Sequence, residues 1–294
     1  MKLVTAKDNN GNNSSGFYYG MYVLSMLLFG TNGYLVSHIS LQSSQIVLVR
    51  TLIGGILLSA MVLLQNDFTF SRIKPELRNL LAGGIALGLN WVALFAAYRM
   101  LNVSLATLIY YAGPMLVLLF SPWLFREALT KRKLTAIIIV AVGLLCITGS
   151  IAAGKLSMAG LVTAVGSALF YAALIVFNKR IKNTGGLQTA AIELDVAFVV
   201  VLLYVLFTSG FSYPLATDIP YLLTIGLLNT GLAYFLYFSS MQRLPAQSVA
   251  LISYIDPVSA LLFSAWLLNE NMTLLQIAGA VFIIGGAILG ELGD

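Results

Sequence analysis

The chain has 294 residues, of which 59% are hydrophobic and only 9% are charged. A soluble domain usually carries about 25% charged residues, so this composition excludes an ordinary water-soluble fold. The formal net charge is +5, but the basic residues are spread among many short segments, and we therefore expect no nucleic-acid partner. The single cysteine, Cys146, excludes a disulfide framework within the chain.

The apolar residues fall into long runs, and no charged residue occurs between Asp8 and Arg50 or between Arg99 and Arg126. Since roughly 20 apolar residues in a helix cross the hydrocarbon, and these runs are apolar on every face, they predict transmembrane helices rather than strands. The first five helices are predicted at Tyr18–Ser37, Ser44–Leu64, Asn79–Tyr98, Val103–Phe125 and Leu134–Ile151. The second five are predicted at Ser157–Asn178, Leu187–Thr208, Ile219–Phe238, Ala246–Leu268 and Thr273–Leu292.

The first apolar segment follows Lys2 and Lys7, as the apolar part of a signal peptide would. It is long enough to span the bilayer, lacks a clear small-residue cleavage site and precedes many similar segments. We therefore interpret it as the first transmembrane helix.

The basic residues concentrate on one side of a ten-helix arrangement. With a cytoplasmic N-terminus, thirteen of the sixteen lysines and arginines fall in cytoplasmic segments, Arg99 and Lys155 fall in outer loops, and Arg50 lies within a helix. Because basic residues of short loops stay on the cytoplasmic side, both termini are predicted to be cytoplasmic, in a bacterial inner (plasma) membrane.

An internal repeat is visible when the chain is aligned with itself at an offset of 143 residues. The segment 103–130 then matches 246–273, with twelve of 28 positions identical. The matches include Pro114 with Pro257 and Trp123 with Trp266, whereas chance similarity between apolar helices gives scattered Leu and Ile. This pattern indicates a duplication.

Each half contains five predicted helices, an odd number, so the second half must enter the membrane in the opposite orientation. The cationic residues after the fourth helix, Arg126 and 131–133, correspond to Asn269 and 274–276, which carry no charge. The sequence therefore predicts an all-α membrane protein of ten transmembrane helices in two inverted five-helix repeats, with a cytoplasmic tail at 1–17, the first repeat at 18–151 and the second at 152–294. Inverted repeats of this kind place a binding site near the middle of the bilayer and support alternating access.

Two blocks of residues carry a resemblance to a known family. The first block contains Tyr111, Gly113, Pro114, Trp123, Glu127 and Thr130, with the helix through Gly143. The second block contains Tyr254, Asp256, Pro257, Trp266, Glu270 and Thr273, with the helix through Gly279, Gly285 and Gly286. With Arg50 and the pair Asn90 and Trp91, they make nearly the whole chain resemble the drug/metabolite transporter superfamily, in its EamA family of ten-helix, YddG-like transporters. The resemblance implies transport of amino acids, drugs, sugars or other metabolites, and it leaves the cargo open.

Four charged side chains stand out well inside the predicted helices, namely Arg50, Glu193, Asp195 and Asp256. Such a group costs at least about 2.5 to 3.5 kcal/mol near the helix centre, so each is expected to face a cavity or a partner. Asp256 is placed near the middle of the bilayer, and we expect Arg50 to pair with it. Asp256 or Glu193 would bind a substrate amine or a coupling proton, or take part in a fixed structural ion pair. Glu193 and Asp195 lie roughly 200° apart around their helix and cannot both face one pathway.

Pro114 and Pro257 each remove a backbone donor inside a helix and are predicted to kink it, freeing the carbonyls of Tyr110 and Ser253. The kinks would serve either as gates or as static bends for packing. Polar and aromatic residues at the same depth are expected to line a substrate cavity and to bind an amine or an aromatic ring. These substrate-binding candidates are Asn90, Trp91, Tyr110, Tyr111, Asn229, Tyr254 and Asp256.

The function predicted from these features is secondary-active transport, as an exporter, of small polar metabolites such as amino acids or related amine or aromatic compounds. The motifs of hydrolases, metalloproteases and P-loop proteins are missing from the sequence, and we expect neither an enzyme nor a metal site or cofactor. An uptake carrier, a channel and a non-transport membrane protein stay open as alternatives. The expected partners are a small-molecule substrate, the lipid bilayer and a coupling proton or cation, and the chain is expected to be a monomer.

Overall fold

The computed structural model describes residues 11–65, 70–101, 103–148, 157–208, 210–269 and 272–291, and every regular element within these ranges is helical. The helices form ten units that we call spans 1 to 10. Spans 1 to 5 comprise Gly11–Gly30 with Asn32–Ser37, Ser43–Leu64, Leu77–Met100, Val103–Tyr110 with Ala112–Phe125, and Lys131–Thr148. Spans 6 to 10 comprise Met158–Arg180, Gly186–Thr208, Ile219–Gly226 continuing through Leu227–Leu232 and Ala233–Met241, Ala246–Ile252 with Ile255–Leu267, and Leu274–Glu291. Short helices at Phe70–Ile73, Lys74–Glu76 and Ala216–Asp218 precede spans 3 and 8.

Within the described ranges, eight of the ten units are long and apolar enough to cross a membrane, judged by length and composition. The other two are span 1, which is divided at Thr31, and span 5, which starts with three basic residues, Lys131, Arg132 and Lys133. Together with the duplication, these units make the protein an all-α membrane protein of ten transmembrane helices.

The packing of the spans follows a two-fold pattern that exchanges the halves. Span 4 contacts span 9, span 5 contacts span 10 and span 2 contacts span 7, so each of these pairs joins equivalent helices. Span 3 packs along span 6, and its counterpart, span 8, packs along span 1. The hydroxyl of Tyr19 donates to Oε2 of Glu291 at 3.0 Å, which places the start of span 1 and the end of span 10 on the same side. We call this the terminal side and the opposite one the distal side.

Backbone details repeat between the halves at the offset of 143 residues. Arg126 and Asn269, which follow spans 4 and 9 closely, are the non-glycine residues with positive φ in the described ranges, at 60° and 54°. Such left-handed residues commonly end helices. Span 4 is interrupted at Tyr111 and span 9 at 253–254, again at equivalent positions. The two halves are therefore copies in fold, and their odd helix number makes them inverted repeats.

The breaks differ from the kinks predicted at the two prolines. Pro114 and Pro257 lie in the first turn of the second helical segment, where a missing N–H costs little, and the helices break three or four residues earlier. The carbonyl of Ser253 is not free, because the Asp256 N–H donates to it at 3.2 Å. The Tyr111 carbonyl is the one that accepts a hydrogen bond across the halves.

Span 1 begins earlier than predicted and is divided, and span 8 contains one unpredicted π-helical segment, Leu227–Leu232. At Thr31 the hydroxyl bonds back to the carbonyl of Leu28 at 2.8 Å, competing with the helical pattern. The other observed bounds differ from the predicted ones by three residues or fewer. Several predicted positions lie outside the described residues: Lys2, Lys7, Ile151, Lys155, Glu270, Leu292 and the boundary between residues 151 and 152.

Candidate functional site: a cavity between the halves

A cavity of about 530 Å³ lies between the two halves. It reaches from the middle of the bundle towards the distal side, where its wall includes Val36, Ser43, Tyr98 and Thr107 near the ends of spans 1 to 4. The volume is that of a typical small-molecule site. The predicted site residues that line it are Arg50, Asn90, Trp91, Tyr110, Tyr111 and Asp256.

Two opposite charges lie in this cavity without forming an ion pair. The Asp256 carboxylate accepts a hydrogen bond from the Tyr111 hydroxyl at 3.2 Å. The Arg50 guanidinium lies over the ring of Trp91, 5.1 Å from its centroid. The ion pair of Arg50 with Asp256 expected from their depths is therefore not formed in this conformation, although the two opposite charges are near enough to attract each other.

Aromatic rings form most of the remaining wall. Tyr110 stacks on Tyr171 with centroids 5.1 Å apart, and Trp91 meets Tyr234 edge to face at 5.8 Å. The Asn90 amide is held by the neighbouring span 6, since its Nδ2 donates to the carbonyl of Ser167 at 2.8 Å. Such walls bind apolar or aromatic groups through their faces, while hydroxyl groups and charges orient the polar part of a ligand.

Two predicted lining residues serve other contacts. Asn229 donates from Nδ2 to the carbonyl of Leu28 at 2.6 Å and to the hydroxyl of Thr31 at 2.7 Å, so it braces the break in span 1. Tyr254 is buried and donates to the carbonyl of Tyr111 at 2.8 Å, which joins the breaks of spans 4 and 9. Neither residue belongs to the cavity wall.

Glu193 and Asp195 point in different directions, as their spacing requires, and neither lines the cavity. Glu193 is fully buried, and Nδ2 of Asn178 lies 3.0 and 2.9 Å from its two carboxylate oxygens. Asp195 is exposed on the outer surface of span 7, where Ser59 donates to its Oδ2 at 2.8 Å. Both carboxylates therefore contact polar groups outside the cavity.

The terminal side of the bundle is closed by hydrogen bonds between the halves. The Glu127 carboxylate, just after span 4, accepts the backbone N–H groups of Ala246 and Gln247 at 2.7 and 2.9 Å. The side chain of Gln247 donates to the hydroxyl of Ser121 at 2.6 Å. Span 4 is thereby tied to the start of span 9.

A second set of bonds connects span 1 to the same region. The Tyr19 hydroxyl lies 3.0 Å from that of Ser248 and also donates to Glu291. Deeper in the bundle, the hydroxyls of Tyr22 and Ser253 lie 2.8 Å apart and are buried. The cavity therefore extends to one side while the halves are joined on the other.

The sequence prediction missed several lining side chains, namely Phe95, Tyr98, Thr107, Tyr171, Tyr234 and Tyr237. A signal was available for Tyr234 and Tyr237, because residues three apart share a helix face. Tyr98 and Thr107 belong to the distal part of the wall, and their hydroxyls lie 3.1 Å apart across the turn between spans 3 and 4. Their depth placed them near an interface rather than near the middle of the bilayer.

Both halves of the chain match one known protein family, and a solved structure has the same fold. The EamA-like transporter family model matches twice, over residues 16–149 and 158–290. A solved crystal structure superposes with a TM-score of 0.84 over 94% of this chain and 98% of that chain, at 19% identity, and supports the fold alone.

Curated bacterial relatives are named as transporters. "Uncharacterized transporter YxxF" of Bacillus subtilis (strain 168) is 28% identical over 91% of this chain and 87% of its own length. "Probable amino-acid metabolite efflux pump" of Salmonella typhimurium (strain LT2) is 27% identical over 77% and 80%. The protein is thus a multi-pass membrane transporter and not an enzyme. The two family matches, which together cover most of the chain, show that it belongs to the EamA-like transporter family of the drug/metabolite transporter superfamily.

Proposed function

We propose that the protein is a secondary-active exporter that moves small polar metabolites, namely amino acids or related amine or aromatic compounds, across the bacterial plasma membrane by alternating access. The observation that carries the proposal is the cavity between the halves, which extends to the distal side while hydrogen bonds close the terminal side. Two inverted repeats can exchange these roles, because equivalent packings on the two sides differ little in energy.

The proposed orientation places both termini in the cytoplasm, since thirteen of sixteen basic residues then lie on the cytoplasmic side. The distal side is then external, and the structure corresponds to an outward-facing state of a single-chain carrier. Export is the direction favoured by the name of the efflux-pump relative from Salmonella typhimurium. The proposed repeat boundaries, 18–151 and 152–294, are compatible with this scheme.

The cargo class follows from the chemistry of the wall. The partly buried Asp256 carboxylate attracts an amine, and the Tyr and Trp rings beside it attract cations and aromatic groups through their π faces. A coupling proton or cation would bind at the same carboxylate and compete with the cargo amine. This competition links the cargo to an ion gradient.

The experiment begins with a thermal-shift screen of amino acids and amines on the purified protein, followed by counterflow of each hit in proteoliposomes. A carrier gives saturable uptake that is accelerated by unlabelled cargo inside the vesicles. Currents without counterflow would establish a channel instead and overturn the proposal. Accessibility labelling of the loops after Phe125 and Leu268 tests the inversion, which requires them on opposite sides.

The first prediction concerns Asp256→Asn. Loss of a charge-assisted hydrogen bond of about 1.5 to 3 kcal/mol is expected to weaken the apparent affinity for an amine cargo about ten- to hundredfold and to reduce the pH dependence of counterflow. Expression and thermal stability should be retained. Asp195→Asn is the matched control, because that carboxylate lies outside the cavity. Unchanged transport in Asp256→Asn would assign Asp256 a structural role.

A further inference from the structure

Arg50 carries a charge in the cavity, and no carboxylate forms an ion pair with it among the described residues. Its side chain is 8% exposed, and its Nε–H is buried without a hydrogen-bond partner. Trp91 covers one face of the guanidinium, and the Tyr234 hydroxyl lies within reach of it; both are neutral partners, not anions. A charged group in the interior of a membrane protein is costly, and a buried cation ordinarily has an anionic partner.

Asp256, the acidic residue that lines the same cavity, already accepts a hydrogen bond from another side chain. Asp256 accepts from the Tyr111 hydroxyl at 3.2 Å, and no ion pair joins it to Arg50 among the described residues. Both side chains nevertheless line the same cavity. The cavity wall therefore carries a cation and a carboxylate that are not joined by a salt bridge.

We propose that Arg50 determines specificity by binding the carboxylate of the cargo while Asp256 binds its ammonium group, so that the cavity selects zwitterions over simple amines and simple carboxylates. The inference deepens the proposed function and rests on it. A guanidinium stacked by one face keeps N–H donors along its edge, and this edge matches a carboxylate through two parallel hydrogen bonds. The bound cargo would thus supply an anion to a guanidinium that has none in this structure, where its Nε–H also has no hydrogen-bond partner.

The remaining wall suits the third part of such a cargo. Tyr110 and Tyr171 stack on each other, and Tyr234 contacts Trp91, so rings surround the space beside the two charges. An aromatic or apolar side chain would bury its surface there. The probes for the test are therefore zwitterionic and singly charged molecules that share one phenyl ring.

The test measures the binding of phenylalanine, phenethylamine and 3-phenylpropionate to the purified protein by calorimetry. The wild-type protein is expected to bind phenylalanine at least about tenfold more tightly than either of the other two, since each lacks one charged hydrogen-bonding group. Arg50→Gln is expected to weaken phenylalanine and 3-phenylpropionate by about ten- to hundredfold and to leave phenethylamine unchanged. Asp256→Asn should weaken phenylalanine and phenethylamine and leave 3-phenylpropionate unchanged. Arg50→Lys should bind phenylalanine more tightly than Arg50→Gln does, because it keeps the positive charge.

A uniform loss of affinity for all three probes in Arg50→Gln would make Arg50 a structural residue and overturn the inference. The ranking of the probes on the wild-type protein tests it even where a variant does not fold, because equal affinities contradict it directly. Counterflow of phenylalanine without a zwitterion preference would overturn only this inference. Absence of binding and counterflow with all three probes would overturn the amino-acid or amine cargo as well.

Discussion

Arg50 and Glu193 occupy equivalent positions in the two halves, yet they have opposite charges and different surroundings. Arg50 lines the cavity, whereas Glu193 is fully buried beside Asn178. Gly83 leaves room for this carboxylate, since a Cβ atom on Gly83 would lie 2.2 Å from its Oε1. The duplication thus kept the two positions polar while one served the cavity and the other served packing.

The second prediction follows from the burial of Glu193. Glu193→Ala removes the two carboxylate oxygens that accept from the Asn178 amide, which then keeps only the Leu174 carbonyl as an acceptor, and it leaves a cavity. We therefore expect the free energy of unfolding to fall by about 1 to 3 kcal/mol. Glu193→Gln keeps the shape of the side chain and one acceptor oxygen, so its loss of stability should be smaller. The apparent Tm in detergent measures the difference.

Asp195→Ala is the control for this series, because Asp195 is an exposed carboxylate two residues away in the same span. Its removal should change the Tm little. An equal loss in Glu193→Ala and Asp195→Ala would contradict the packing role of Glu193.

The sequence identified the ionisable residues of the spans but not all of their neighbours. Depth along a helix follows from counting residues, and it placed Asp256 correctly beside the cavity. Pairing depends on rotation and helix spacing, which counting does not supply, and the ion pair expected of Arg50 is not formed in this conformation. Asn229 was misplaced for a similar reason, because a π-helical segment rotates it towards span 1.

At the level of elements, the two broken spans are joined at their breaks. Tyr254 donates to the backbone carbonyl of Tyr111, a bond that links equivalent positions of the two copies. An interrupted helix leaves backbone groups without helical partners, and in a membrane protein these groups need another partner. The bond therefore stabilises the break of span 4 and fixes its distance from span 9.

The third prediction concerns Tyr254→Phe. Removal of the hydroxyl leaves the Tyr111 carbonyl without this donor in a buried place, which should lower stability by about 1 to 3 kcal/mol. Tyr213→Phe serves as the control, because Tyr213 is 96% exposed. The apparent Tm of the two variants is the measurement. An equal, small change in both would show that the bond contributes little.

The positions of the spans were predictable, whereas their interruptions were only partly so. The prolines indicated bends in spans 4 and 9, but each break lies before its proline, at a place set by tertiary hydrogen bonds. The division of span 1 at Thr31 depends on Asn229, some two hundred residues further along the chain. Local sequence does not contain such partners.

At the scale of the molecule, the duplication and its inversion were readable from the sequence, and the fold agrees with both. The sequence did not indicate which side of the bundle is closed. A sequence of inverted repeats encodes two related packings, and which side is joined depends on the balance between two similar sets of contacts. In this structure the contacts of Glu127 and Gln247 hold the terminal side together.

The fourth prediction tests this balance with Glu127→Ala in a Cys146→Ser background. Loss of the acceptor for two backbone N–H groups should favour opening of the terminal side. A cysteine at Ser253, which is 1% exposed, should then react several-fold faster with a maleimide. A cysteine at Thr107, on the distal wall of the cavity, should react more slowly.

Opposite changes at the two probes are the signature of alternating access. Faster labelling at both positions would indicate local loosening, and the role of Glu127 as a closing contact would then be wrong. Asp195→Ala is a suitable control, since it removes a carboxylate on the outer surface of span 7, away from the contact between spans 4 and 9.

The π-helical segment Leu227–Leu232 adds a residue to one turn of span 8, and everything after it is turned relative to an uninterrupted helix. An α-helix rotates by about 100° per residue, so shortening this turn by one residue would swing Tyr234 and Tyr237 away from the cavity. A transporter of this architecture can therefore acquire a different pocket lining through a single deletion, with every lining side chain still present in the chain. Length variation in one turn, as much as substitution, is then a route to new cargo.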